Sequence, residues 1–130
     1  MFFAESQGRL IGRVGVLRNE QPNREHMASL GSTVARDSRG QGVGRALMAR
    51  ALSWVRANPS IERVELEVIS ENAPAIHLYE SFGFETEGVR RRAMKKNGRN
   101  FDLLLMERIC IPTLDAGAQR NGMLEPRRMA

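Results

Sequence analysis

Two stretches of the chain combine residue types and spacing that could do chemistry. The first is Arg39-Gly40-Gln41-Gly42-Val43-Gly44, with three glycines in five residues. Glycines there let the backbone turn and approach a ligand with no Cβ in the way. An amphipathic helical pattern follows directly, so unpaired N–H groups and a positive dipole end point back at the loop. That combination cradles an anion such as the pyrophosphate of a nucleotide-containing cofactor. Arg39 and Arg45 add positive charge. A P-loop would need Lys and then Ser or Thr after the last glycine, and here Arg45-Ala46 follows Gly44. The dinucleotide fingerprint G-x-G-x-x-G is also absent, because the glycines fall at 40, 42 and 44. A loop that merely caps the helix is the plain alternative.

The second stretch runs from Leu66 to Phe84 and carries Glu67, Asn72, His77 and Tyr79. Each has an ordinary reading. Glu67 is a solvated strand residue, and Asn72 is an N-cap. Tyr79 shares a helical face with Ala75, Ile76 and Phe82, where an aromatic packs into a core. His77 falls on the helix surface and receives no role.

The elements that must position these residues follow from periodicity and punctuation. Phe2 to Glu5, a Ser6-Gln7-Gly8 turn and Leu10 to Leu17 read as a hairpin. Arg18 to Glu25 is polar with Pro22, hence a loop. Met27 to Ala35 reads as a buried strand ending at the glycine loop. Val43, Leu47, Ala51, Leu52 and Val55 then share one helical face, and Asn58-Pro59 ends the helix. Arg63 to Ile69 alternates, with Val64, Leu66 and Val68 on one side and Glu65, Glu67 and Ile69 on the other. Asn72 and Pro74 start a second helix, and Gly83 stops it. Two strands at 85–94 and 100–109, joined by Lys96-Asn97-Gly98, complete the series. A strand, helix, strand connection makes the strands at 27–35 and 63–69 parallel, and the remaining pairings antiparallel. The fold class is therefore α/β, with a mixed, largely antiparallel sheet.

At 130 residues the chain forms one domain, and 42% hydrophobic with 27% charged residues is ordinary globular composition. The pattern assigns 1–110 to the domain and leaves 111–130, rich in Gly, Pro, Gln and Arg, as a disordered or partner-bound tail. The single Cys110 excludes an internal disulfide, and no apolar run is long enough to span a membrane, which together point to the cytoplasm. The net charge of +5 raises RNA binding as a rival. Its densest patch, Arg90, Arg91, Arg92, Lys95, Lys96 and Arg99, comes without a zinc-finger spacing or an aromatic RNA-binding signature. A solvated basic face, or one attracting an anionic ligand, is the more economical reading.

Taken together, R-x-x-G-x-G running into Arg45-Ala46-Leu47-Met48, and the later L-Y-E-x-x-G-F at Leu78 to Phe84, resemble the two central motifs of the GNAT acetyltransferases. The resemblance covers residues 1 to about 109. It implies a GNAT fold in which the parallel strands splay and acetyl-CoA, the co-substrate, enters the gap. Strand backbone at Thr33, Val34 and Ala35 would bond the pantetheine arm. Arg39 and the loop of Gly40, Gln41, Gly42, Val43, Gly44 and Arg45 would hold the pyrophosphate. Asn72 and Tyr79 would face the cofactor arm, Tyr79 as the general acid that protonates the departing thiolate. A phenol with a free pKa near 10 can do this, and no metal is needed.

The base is less well marked. Glu67 precedes Tyr79 by twelve residues, as in the ribosomal-protein N-acetyltransferases that this segment resembles, and His26 could relay a proton through water. The resemblance implies direct transfer to an amine in a ternary complex, with no covalent step at Cys110. Gly88 to Met106 resembles members that acetylate free amino acids and small amines, and the central motif fits protein N-terminal acetylation. A non-catalytic CoA-binding module is the rival from another class. Relatives begin with a strand and two helices ahead of this chain's first strand. A truncated frame, or a partner subunit supplying the missing wall, would account for that, and the open sheet edge favours a homodimer.

Overall fold

The computed structural model describes residues 2–34, 39 and 42–110. The elements in chain order are β1 (Phe2–Ser6), β2 (Arg9–Arg18), β3 (Met27–Val34), α1 (Val43–Arg56), β4 (Arg63–Ile69), α2 (Ala73–Ser81), β5 (Glu85–Lys96) and β6 (Arg99–Ile109). They build one six-stranded sheet in the order β1-β2-β3-β4-β6-β5. Every pairing is antiparallel except β3 with β4. This is the mixed, largely antiparallel α/β architecture expected from the sequence. Ala35, Gly40, Gln41 and the tail at 111–130 lie outside the described residues.

Local chemistry explains the turns. Gln7 and Gly8 between β1 and β2, and Asn97 and Gly98 between β5 and β6, all take positive φ. Two consecutive left-handed residues match the twist of a tight hairpin, which is why Gly follows a polar residue in each. Asp102 has a related task. Its Oδ1 accepts the Arg92 backbone N–H at 2.8 Å, where β5 bulges between Arg90 and Met94 and Arg92 has a φ of 53°.

Both helices pack on the same face of the sheet. Leu47, Met48, Ala51, Leu52 and Val55 of α1 join Val14, Leu30, Val64, Leu66, Met106, Tyr79 and Phe84 in one core. Met48 widens the stripe beyond the residues that periodicity picks out. Close approach of α1 depends on Gly12, because a Cβ there would sit 3.0 Å from Leu47 Cδ1 and 3.1 Å from Val43 Cγ1. The opposite sheet face is exposed in its middle, at Arg13, Leu17, Ser29, Gly31, Thr33 and Glu67.

Candidate active site

The site begins with a failure of pairing. β3 and β4 are in register only at Met27 with Arg63, Ala28 with Val64 and Ser29 with Glu65. Beyond that, Leu30 to Val34 and Leu66 to Ile69 are still strand but no longer partner each other. The two strands keep their outer partners, β2 and β6, so the sheet survives on both sides of the gap. Backbone groups of β3 that face the gap are left without a strand partner and can serve a ligand. Thr33 and Val34 lie on this free stretch, opposite Arg13 and Gly12 of β2.

The gap opens toward the start of α1. Gly42 is the helix N-cap in the left-handed region, with φ 83°, no side-chain cap and no acidic residue in the first turn. The first intrahelical bond is Ala46 N–H to the Gly42 carbonyl at 3.0 Å, so the amides of Val43, Gly44 and Arg45 precede the hydrogen-bonded ladder. A Cβ built on Gly42 meets nothing within 4 Å. This geometry fits a phosphate: donors converge, the dipole favours an anion, and space is open. Arg39 is exposed nearby in sequence. The Arg45 guanidinium stacks 5.4 Å from the centre of the Phe82 ring, which ties the loop end to the end of α2.

The second helix carries the other residues read from the sequence. Asn72 caps it, with Oδ1 accepting the Ala75 N–H at 3.2 Å. Tyr79 is 8% exposed, as the packed-aromatic reading requires. Phe84, 2% exposed, meets its ring edge-on at a centroid distance of 6.2 Å. The phenol is not enclosed by carbon alone: its Oη lies 3.2 Å from Ser32 Oγ on β3. A side chain from the helix after β4 thus spans to β3, on the far side of the gap. Sequence reasoning misses Ser32. The available signal is a hydroxyl in the inward row of β3, alternating with Ala28 and Leu30.

Glu67 sits on the free stretch of β4, facing away from the helices, and its carboxylate is 3.3 Å from Arg90 Nε. His26 immediately precedes β3, and its carbonyl accepts the N–H groups of Glu62 and Arg63 at 2.7 and 3.2 Å. That is the paired end of the two strands, remote from the gap, which removes His26 from the proton relay considered for it. Cys110 is at the same end, its N–H bonded to the Glu62 carbonyl at 2.7 Å. Burial pushes its thiol up, against the lowering influence of Arg108, so the thiol stays protonated and is a poor nucleophile.

The open sheet face beside the gap forms a groove of about 560 Å³, lined in part by Arg13, Gly15, Leu17, Ser29, Gly31 and Thr33. Gly15 and Gly31 are directly opposed in register and leave its floor bare. Further along, Arg63 gathers Glu65, Glu87 and Glu107 at 3.1, 2.5 and 3.6 Å. Burial alone would lower this guanidinium, but its bonds to Glu87 and Glu65 outweigh that and raise it.

Comparison with known proteins agrees with this arrangement. Residues 1–84 match the acetyltransferase (GNAT) family. The L-amino acid N-acetyltransferase AaaT of Escherichia coli is 33% identical over 106 residues, which are 78% of this chain and 63% of that protein. The N-alpha-acetyltransferase RimI of Mycobacterium tuberculosis is 34% identical over 97 residues, 73% of this chain and 58% of that one. The crystal structure of a ribosomal-protein-alanine N-acetyltransferase from Brucella melitensis superposes with a TM-score of 0.75 at 30% identity, covering 82% of this chain and 66% of that chain. The chain thus spans less than two thirds of the length of these two sequence relatives. The splayed parallel pair, the uncapped glycine turn into α1 and the matched sequence lead to one assignment: the chain belongs to the GNAT family of acetyltransferases.

Proposed function

We propose that the protein moves an acetyl group from acetyl-CoA to a primary amine, by direct attack within a ternary complex. The observation that carries this reading is the junction of three features: the unpaired strand ends, the open N-terminus of α1, and a phenol that reaches across the gap. Amides at Gly42 to Arg45, with Gly40, Gln41 and Arg39 before them, hold the pyrophosphate. Free backbone at Thr33 and Val34, with Ala35 next in the chain, bonds the pantetheine arm, and the Asn72 amide contributes from the start of α2.

A neutral amine attacks the thioester carbonyl, whose oxygen gains charge and is stabilised by a strand N–H at the gap. Tyr79 gives its phenolic proton to the departing sulfur. Glu67, beside the gap on the open face, takes up the proton that the amine must lose. With Cys110 half-buried, protonated and at the far end of the strands, no acetyl-cysteine is formed.

The acceptor is a free amino acid or small amine. The bare groove with Arg13 at one side and Glu67 on the next strand but one offers charges of both signs, which a zwitterionic acceptor can use. A protein N-terminus is the second reading, favoured by the likeness to the ribosomal-protein-alanine enzyme. We further read the protein as a cytoplasmic homodimer.

The test is thiol release from acetyl-CoA over a panel of amino acids, polyamines and N-terminal peptides. Release with free amino acids supports the primary reading. Release with peptides alone transfers the assignment to protein N-termini. Binding of acetyl-CoA without release to any acceptor would make the protein a CoA-binding module.

A further inference from the structure

Ser32 is an outlier in its own row. Residues of β3 that face the helices are Ala28, 1% exposed, and Leu30, 6% exposed, and Ser32 lies opposite the fully buried Val14. Ser32 itself is half-buried, so its hydroxyl gives up part of its water and gains from a hydrogen-bond partner inside the protein. Its partner is Tyr79 Oη at 3.2 Å.

That contact can be made in two directions, and the direction matters for chemistry. If the phenol donates to Ser32, its proton is turned toward the serine and away from the gap. If Ser32 donates, the phenolic proton is free to face the gap, and the oxygen is already held by a donor. We propose that Ser32 is a positioning residue that donates its hydroxyl proton to Tyr79 Oη, aiming the phenolic proton at the leaving sulfur and stabilising the phenolate left behind.

This inference rests on the reading of Tyr79 as general acid and deepens it. In the step it serves, the C–N bond has formed and the C–S bond breaks with its electron pair going to sulfur. The sulfur takes the phenolic proton, and the O–H bonding pair stays on Tyr79 Oη as phenolate. The amine nitrogen has passed its surplus proton to Glu67 or to water. Solvent returns a proton to the phenolate once the thiol departs. Ser32 gains and loses nothing. A donor held against the oxygen stabilises the negative charge that develops there as the proton leaves.

The chain contains one tyrosine, so an absorbance titration of phenolate reads Tyr79 alone, with or without turnover. Ser32→Ala is expected to move that titration to higher pH. It should lower kcat by about two- to tenfold, the worth of one hydrogen bond, and leave acetyl-CoA affinity unchanged. Ser32→Thr keeps the hydroxyl on a β-branched side chain that suits a strand, and should restore both properties. In a Tyr79→Phe background, Ser32→Ala should cost nothing more.

A titration that stays in place or moves to lower pH means that Ser32 does not donate, and overturns the inference. So does a Ser32→Ala protein that melts earlier yet turns over at full speed, since that is a structural contact only. Failure of the two readings is separable. Full turnover in Tyr79→Phe removes the general acid and the inference with it. A slow Tyr79→Phe beside a fully active Ser32→Ala removes the inference alone.

Discussion

A buried phenol 8% exposed, packed edge-on against Phe84, has two explanations that differ by what the oxygen does. Packing accounts for the ring, which would be equally well placed as phenylalanine. Proton donation to the leaving sulfur accounts for the oxygen. On that reading Tyr79→Phe should retain stability and acetyl-CoA affinity while kcat falls about 100-fold or more, the usual worth of general acid catalysis. Steady-state thiol release, read beside a binding isotherm, separates the two; equal turnover returns Tyr79 to the core. Cys110 supplies the contrasting case. Its thiolate fraction is small at neutral pH because burial raises the thiol, and it grows only as pH climbs through that raised value. Cys110→Ser is therefore expected to keep full turnover at neutral pH, and a collapse of the rate would contradict direct transfer.

Among the elements, most of the fold is legible in the chain because its signals are local. Val64, Leu66 and Val68 alternate with Glu65 and Glu67, so the burial of β4 follows directly from the pleat. Asn97-Gly98 and Gln7-Gly8 specify their hairpins by backbone preference alone. Long-range placements are harder to read. Nothing local in Ser32 reveals a partner on α2, forty-seven residues on, and nothing in Glu67 reveals Arg90. By residue type alone His26 is a fair relay candidate; only strand direction puts it at the paired end of β3. The glycine loop is legible as a motif, although Ala35, Gly40 and Gln41 lie outside the described residues.

Two predictions belong to this scale. Gly12→Val should destabilise the protein by about 1–3 kcal/mol, as overpacking does, because α1 sits against that position through Leu47 and Val43. Chemical denaturation would detect it, and an unchanged midpoint would mean that the helix can move away freely. Asn72→Ala should cost about 1 kcal/mol through the lost cap, and should also weaken acetyl-CoA binding if its amide serves the cofactor. Loss of stability with unchanged affinity would leave Asn72 as a cap and nothing more.

For the whole molecule, charge and exposure are distributed in a way that agrees with the proposed division of labour. The basic residues of β5 line one sheet edge, where charge discourages unwanted strand pairing. Arg90 of β5 is engaged in an ion pair with Glu67, and Arg99 at the start of β6 in one with Glu71. At the other side of the described sheet the outer strand is β1. Both helices lie on one face, and the second face leaves the groove beside the gap accessible to an acceptor. No helix among the described residues is long and apolar enough to cross a membrane. On the proposed function, acetyl-CoA lodges between β3 and β4 with its phosphates at the start of α1.

The most direct test is calorimetric titration of acetyl-CoA into the protein and into Gly42→Val. The valine places a branched side chain in the open space before α1, at a left-handed position where an L residue costs roughly 1–2 kcal/mol. Saturable binding at one site per chain is expected, together with its loss in a Gly42→Val protein that circular dichroism shows to be folded. No binding to the unsubstituted protein, or equal affinity in the folded variant, would contradict the placement of the cofactor and the function built on it.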